Sequence, residues 1–205
     1  MSPVIRVAAI DDAQRIAEIY APAVVERVTS FELVAPSAEE MGSRLTRVLA
    51  HYPWLVCELD GRVIGYAYAS THNERAAYRW SVDVAVYVGG EVHRRGVGTA
   101  LYASLFEVLA LQKIRNVYAG ITLPNAASEG MHSRAGFKLV GTYHHVGYKF
   151  GAWHNVAWFE RALLPAVVNP PEPLSFSEIR DTAEVAAALG KGQALLTRYR
   201  VYSTD

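Results

Sequence analysis

Asp83 interrupts an otherwise apolar stretch, Ser81-Val82-Asp83-Val84-Ala85-Val86-Tyr87-Val88, in which valine recurs at every second position. That alternation predicts a strand with an all-valine face. Asp83 falls on the other face with Ser81, Ala85 and Tyr87, and a carboxylate so placed is a candidate general base. Shortly after comes His93-Arg94-Arg95-Gly96-Val97-Gly98-Thr99, at the entry to a helix predicted over about 97–112. Its glycines let backbone approach a ligand without a Cβ in the way. The unpaired N–H groups and positive dipole end of a first helical turn attract anions such as a pyrophosphate. Arg94 and Arg95 would add charge, and Thr99 a hydroxyl donor. Further on, Asn125 is a good helix cap, and His132 within that short helix is a side chain able to exchange a proton near neutrality. Each also has a plain reading: a solvated strand carboxylate, a tight turn with solvated arginines, a helix histidine with a structural hydrogen bond.

The loop is neither of the two commoner phosphate signatures. A Walker loop needs Gly-Lys-Ser/Thr, and a dinucleotide fingerprint needs a third glycine; both are missing here. Metal chemistry has little support, because His144, His145 and His154 lack ligand spacing with Asp, Glu or Cys.

The surrounding elements read clearly. Residues 4–9 predict a strand, and Asp11 with Gln14 suggests a capping box opening a helix over about 12–27. Ser37 with Glu40 signals a second helix that ends before Pro53. Residues 55–59 and 63–70 flank Asp60-Gly61, a hairpin signal. Residues 116–121 predict a strand, Pro124-Asn125 a short helix closed by Gly136, and 138–149 with 153–162 a final hairpin turning near Gly151. After Pro165 the composition shifts to a stiff stretch, Asn169-Pro170-Pro171-Glu172-Pro173, then one amphipathic helix over about 177–189 with Gly190 as its stop. The expected fold is therefore α/β (α+β): a mixed central sheet flanked by helices over residues 1–164, with a C-terminal extension over 165–205.

Composition excludes several classes. Twenty Lys and Arg balance twenty Asp and Glu, which removes the broad field of a general nucleic-acid binder. The single cysteine, Cys57, lies in an apolar run and reads as a core residue. No apolar stretch approaches the ~20 residues of a membrane helix, so a cytoplasmic protein with no membrane partner is the expectation.

The sequence resembles the GNAT superfamily of N-acetyltransferases. The loop at 93–99 is similar to its coenzyme A pyrophosphate loop, with His93 where Gln or Arg is usual. Tyr78-Arg79-Trp80 and the strand to Val88 resemble the phosphinothricin and methionine sulfoximine acetyltransferase branch, as do residues 123–128, His132, Ala135-Gly136-Phe137 and 147–156. The resemblance covers about residues 4–163 and implies acetyl-CoA as co-substrate and a GNAT-like sheet. It implies coenzyme contacts from the backbone at Val86, Tyr87 and Val88, from His93, Arg94, Arg95, Gly96, Val97, Gly98 and Thr99, and from Asn125 and Ser128. It implies Asp83 as base, at a position where glutamate is usual, and His132 where a tyrosine often protonates the thiolate. The acceptor is expected to be a small amino-acid-like amine, with Phe31, Glu32, Asn73, Glu74, Arg75, Tyr78 and Arg79 as candidate contacts. Arg75 or Arg79 would clamp a carboxylate. A homodimer is also implied. Open alternatives are an acyl-coenzyme A sensor without turnover, and acetylation of a protein N-terminus, a polyamine or an aminoglycoside.

Overall fold

Asp60 and Gly61 turn the chain through positive φ, 51° and 77°, as a two-residue hairpin with right-handed strand twist requires. They join β2 (Trp54–Leu59) to β3 (Arg62–Thr71). The computed structural model describes residues 3–92 and 95–196. Before this hairpin come β1 (Val4–Val7), α1 (Ala13–Val25) and α2 (Ala38–Leu49). After it come β4 (Ser81–Val88), α3 (Val97–Leu111), β5 (Asn116–Leu123), α4 (Ala126–Arg134), β6 (Lys138–Lys149) and β7 (Ala152–Ala162). Two further helices, α5 (Phe176–Ile179) and α6 (Ala183–Leu195), follow the proline-rich stretch. The strands form one seven-stranded sheet ordered β1-β2-β3-β4-β5-β7-β6. It is a mixed sheet, antiparallel at every junction except β4 with β5.

Strand alternation splits the core into two layers. Val82 and Val84 of β4, with Val117, Ala119 and Ile121 of β5, pack against Leu101, Leu105 and Leu109 of α3. On the opposite face Trp54, Val56 and Tyr66 pack against Ile16 and Tyr20 of α1 and Met41 and Leu45 of α2. Cys57 is wholly buried, and burial pushes its thiol up to about 12.

Two local expectations are corrected. The first helix is not opened by an Asp11–Gln14 box: Asp12 Oδ2 accepts from the Ala9 N–H at 2.8 Å, and the Arg6 guanidinium grips the same carboxylate. The predicted 177–189 helix is two helices, and Gly190 does not end the second. Thr182 caps α6, its Oγ1 accepting from the Val185 N–H, and the helix runs on through Gly190 and Gly192. A Cβ at Gly192 would stand 2.0 Å from the Ala100 carbonyl oxygen. Close packing on α3 is therefore why a glycine sits inside α6. Phe176, wholly buried, seats α5 against Val108 of α3. Apolar on nearly every side, α3 is sandwiched between sheet and α6. No helix among the described residues is long and apolar enough to cross a membrane.

Candidate functional site

Parallel pairing between β4 and β5 covers only Ser81, Val82 and Asp83 against Asn116, Val117 and Tyr118, although both strands run on. Past that point they part. The gap opens on a cavity of about 1080 Å³ lined by residues 84–88 of β4, 119–122 of β5, 96–99 at the start of α3, and Asn125, Ser128, Met131 and His132. An unpaired strand edge offers backbone N–H and C=O groups to a ligand as it would to another strand. Val86, Tyr87 and Val88, the expected backbone contacts, line the cavity on the β4 side.

The start of α3 meets the same cavity. Gly96 has φ of 81° and no side chain caps the helix it begins. Among the described residues the Val97, Gly98 and Thr99 N–H groups have no acceptor, so the helix terminus is set up for an anion. A Cβ on Gly98 would lie 3.2 Å from Met131 Sδ, so glycine keeps α3 and α4 close here without crowding that side chain. Arg95 is exposed beside the loop. His93 and Arg94 lie outside the described residues.

Asn125 caps α4, its Oδ1 accepting from the Ser128 N–H at 3.1 Å. One turn on, His132 is buried (5% exposed). Its Nδ1 lies 2.8 Å from the Ser128 carbonyl oxygen, which can only accept, so Nδ1 carries the hydrogen. Nε2 then accepts from the Tyr102 hydroxyl at 3.0 Å. Burial lowers the imidazole's affinity for a second proton, and the Ser128 carbonyl opposes this only in part. His132 is therefore a neutral imidazole at the cavity wall.

Asp83 is at the head of the fork. Its Oδ1 lies 2.6 Å from His72 Nδ1, with about a third of the Asp83 side chain exposed (32%). Burial raises the carboxyl above its ordinary range, and the His72 ring pulls it back in part. The ring stacks on Tyr118 with centroids 4.4 Å apart and meets the edge of Trp158.

The expected acceptor contacts do not converge on one point. Glu32 is committed to a two-pronged pair with Arg44 at 2.7 and 2.9 Å and accepts from the Tyr20 hydroxyl. Phe31 lies over Gly147, where a Cβ would meet its ring at 2.3 Å. Asn73 Oδ1 accepts from the Arg75 N–H. Arg79 donates to Glu172 and to the Ala76 carbonyl, so the proline-rich stretch occupies it. Glu74 and Arg75 are exposed, as is Tyr78, whose ring is 6.1 Å from His72.

Sequence reading missed His72, Tyr102 and, on the cavity wall, Glu26, Arg27, Thr29 and Arg134. For His72 a signal existed. Ser70 pairs with Asp83 and Thr71 with Val82; one step further puts His72 beside Asp83 on the same sheet face. Nothing local marks the other residues, since the cavity they line joins α1, β4, α3 and α4. Among the described residues, no group of three or more His, Cys, Asp or Glu is placed to hold a metal.

Comparison with known proteins agrees with this geometry. The family model of the acetyltransferase (GNAT) domain matches residues 5–158. The chain is 35% identical to phosphinothricin N-acetyltransferase of Streptomyces viridochromogenes, over 83% of this chain and 94% of that one. It is 33% identical to L-methionine sulfoximine/L-methionine sulfone acetyltransferase of Pseudomonas aeruginosa, over 83% of this chain and all (100%) of that one. Among solved structures, a GNAT superfamily phosphinothricin acetyltransferase from Sinorhizobium meliloti in complex with AcCoA superposes with a TM-score of 0.77 at 32% identity, covering 85% of this chain and 94% of that one.

Proposed function

The chain belongs to the GNAT acetyltransferase family, and on that premise we propose that it acetylates the amine of a small amino-acid-like acceptor of the phosphinothricin or methionine sulfoximine type. Acetyl-CoA is the donor, and transfer is direct within a ternary complex. The observation that carries this reading is the fork: β4 and β5 stop pairing at Asp83 and Tyr118, directly above a cavity walled by a glycine-opened helix terminus. Relatives named for this chemistry, one of them solved with AcCoA, support the same donor and acceptor class.

The residues fit the coenzyme. Gly96 to Thr99 would take the pyrophosphate on the first-turn amides of α3, with Arg95 adding charge. The edge of β4 at Val86–Val88 that faces the cavity would hold the amide-bearing arm, and Asn125 and Ser128 would contact it from α4. Bound there, the coenzyme supplies an activated acetyl thioester. Donors at the end of that edge stabilise negative charge on the carbonyl oxygen as the amine adds. The carboxylate of Asp83, with its partner, accepts the amine's proton, and the His132–Tyr102 pair, which lines the same cavity, would return one to the departing sulfur. Cys57 cannot carry the acetyl group, because it is buried with its thiol pushed up to about 12. That favours direct transfer.

Arg75, exposed at the turn that follows β3 and with no side-chain partner among the described residues, would pair with the acceptor's carboxylate. We also assign a homodimer to the outer hairpin, where Leu139, Val140, Tyr143 and Val146 of β6 and Trp153 of β7 leave large apolar side chains exposed. The deciding experiment is a free-thiol release assay against methionine sulfoximine, methionine sulfone, phosphinothricin, common amino acids, polyamines and aminoglycosides. Turnover of the first three supports the reading. Tight coenzyme binding with no turnover of any amine would replace it with a sensor.

A further inference from the structure

We propose that the group receiving the acceptor's proton is the His72 imidazole, through Nε2, with Asp83 as the partner that fixes its tautomer and orientation. This rests on the N-acetyltransferase reading above and specifies the base within it.

Tautomer comes first. An ionised carboxylate only accepts, so the 2.6 Å contact between Asp83 Oδ1 and His72 Nδ1 places the hydrogen on Nδ1. In a neutral imidazole that leaves Nε2 as the bare, basic nitrogen. Among the described residues Nε2 has no hydrogen-bond partner. A nitrogen committed to the fold would have one.

Position comes second. Continuing the β3–β4 register, His72 stands beside Asp83 on the face that carries Ala85 and Tyr87. Its ring lies almost flat on Tyr118, 19° from parallel, and meets Trp158 at 82°. Since Tyr118 is the last β5 residue paired with β4, the imidazole covers the point where the strands part. About a quarter of the His72 side chain is exposed (24%), so an acceptor can reach it. Aspartate is a short side chain and one of its oxygens is already taken. The ring carries its basicity outward, as an aspartate–histidine pair does in hydrolases.

The groups around the ring are named readily. Asp83 comes from β4, Tyr118 from β5, Tyr78 from the turn at Ala76–Tyr78 and Tyr68 from β3, near enough to feel the Asp83 charge. Trp158 of β7 carries no charge. Asp83 is thus the charged group the described contacts set against the ring.

The proton balance closes. The acceptor's ammonium gives one proton to Nε2, making an imidazolium held by Asp83. The freed nitrogen lone pair forms the C–N bond to the thioester carbonyl carbon, and the C–S bond breaks with its electrons on sulfur. The amide nitrogen sheds its second proton, the sulfur takes one, and the imidazolium returns one to solvent. Amide, thiol and one proton result.

Two readouts test this. In enzyme labelled with ¹⁵N-histidine, the His72 ring should show the neutral Nδ1–H tautomer, and Asp83→Asn should remove that bias. This holds whatever the acceptor proves to be. An Nε2–H tautomer in the wild-type protein overturns the proposal. In kinetics, His72→Phe keeps the stacking on Tyr118 but should lower kcat/KM for the amine about 100-fold and flatten the acid limb of its pH profile. Coenzyme Kd should stay within about 2-fold, since the ring does not line that cavity. His72→Asn, which can donate to Asp83 but cannot take a proton, should fail to rescue. If it restores kcat/KM to within about 3-fold of wild type, His72 merely positions Asp83 and the proposal falls. Wild-type enzyme that binds coenzyme A yet acetylates no amine would instead sink the N-acetyltransferase reading itself.

Discussion

Asp83 of β4 and Tyr118 of β5 face each other as the final pair of a parallel ladder only three residues long. Above them the two strands run on without pairing to each other, so the sheet is locally unzipped. The cost of leaving strand edges unpaired is offset when a ligand takes up the hydrogen bonds. A carboxylate at the head of such an opening is close to whatever the opening holds, which supports the proposed role of Asp83 in proton transfer.

Asp83→Asn should therefore lower kcat/KM for the acceptor by about 10²–10⁴-fold, the range expected for loss of acid–base assistance. Coenzyme A binding by calorimetry should hardly change. Wild-type turnover in the variant across the pH range would remove Asp83 and its partner from proton transfer.

Gly96→Ala tests the helix-terminus site. With φ at 81°, a Cβ costs about 1–2 kcal/mol or shifts the loop. We expect coenzyme Kd to rise about 10-fold or more, with acceptor KM little affected at saturating coenzyme.

Arg75 and Arg79 are separated by their partners. Arg79 already donates to Glu172 at 2.6 Å, whereas the Arg75 side chain has no partner among the described residues. Arg75→Ala should raise KM about 10-fold for a carboxylate-bearing acceptor, one charge-assisted hydrogen bond, and leave KM unchanged for its decarboxylated analogue. Arg79→Ala should do much less. The reverse ranking would assign the clamp to Arg79.

Phe176→Ala addresses the C-terminal extension. Phe176 is wholly buried against Val108 and Val185, so its loss should cost about 3–5 kcal/mol in urea denaturation. Gly192→Leu should destabilise as well, by forcing α6 off the Ala100 carbonyl.

Acid should weaken the loop that precedes α2. The Arg44 guanidinium, aided by the Tyr20 hydroxyl, holds the Glu32 carboxyl below its ordinary range against the opposing effect of burial. A lowered carboxyl stabilises the fold above the unfolded-chain value near pH 4.5, and that contribution fades as pH falls through the lower folded value. Arg44→Met should cost about 1 kcal/mol at pH 7, because the pair is partly exposed. The difference from wild type should shrink as pH falls below 4.5 and through the lower folded value.

Much was decided along the chain itself. Alternating valines set the strand at 81–88, Asp-Gly set the β2–β3 turn, Ser37 and Asn125 set helix starts, and Gly96 with Gly98 marked the candidate phosphate loop. These are local preferences of backbone and side chain, and they act wherever the chain goes. The mistake at Gly190 shows their limit: a glycine that reads as a helix stop lies inside a helix that runs on to Leu195, where Gly192 packs against α3 too closely for a side chain. Tertiary structure alone decided where β4 and β5 part, that Glu32 and Arg79 are occupied by Arg44 and Glu172, and that His72 lies against Asp83 and Tyr118. Each joins groups distant in sequence, and cross-sheet register and packing, which no local pattern encodes, determine which of them meet.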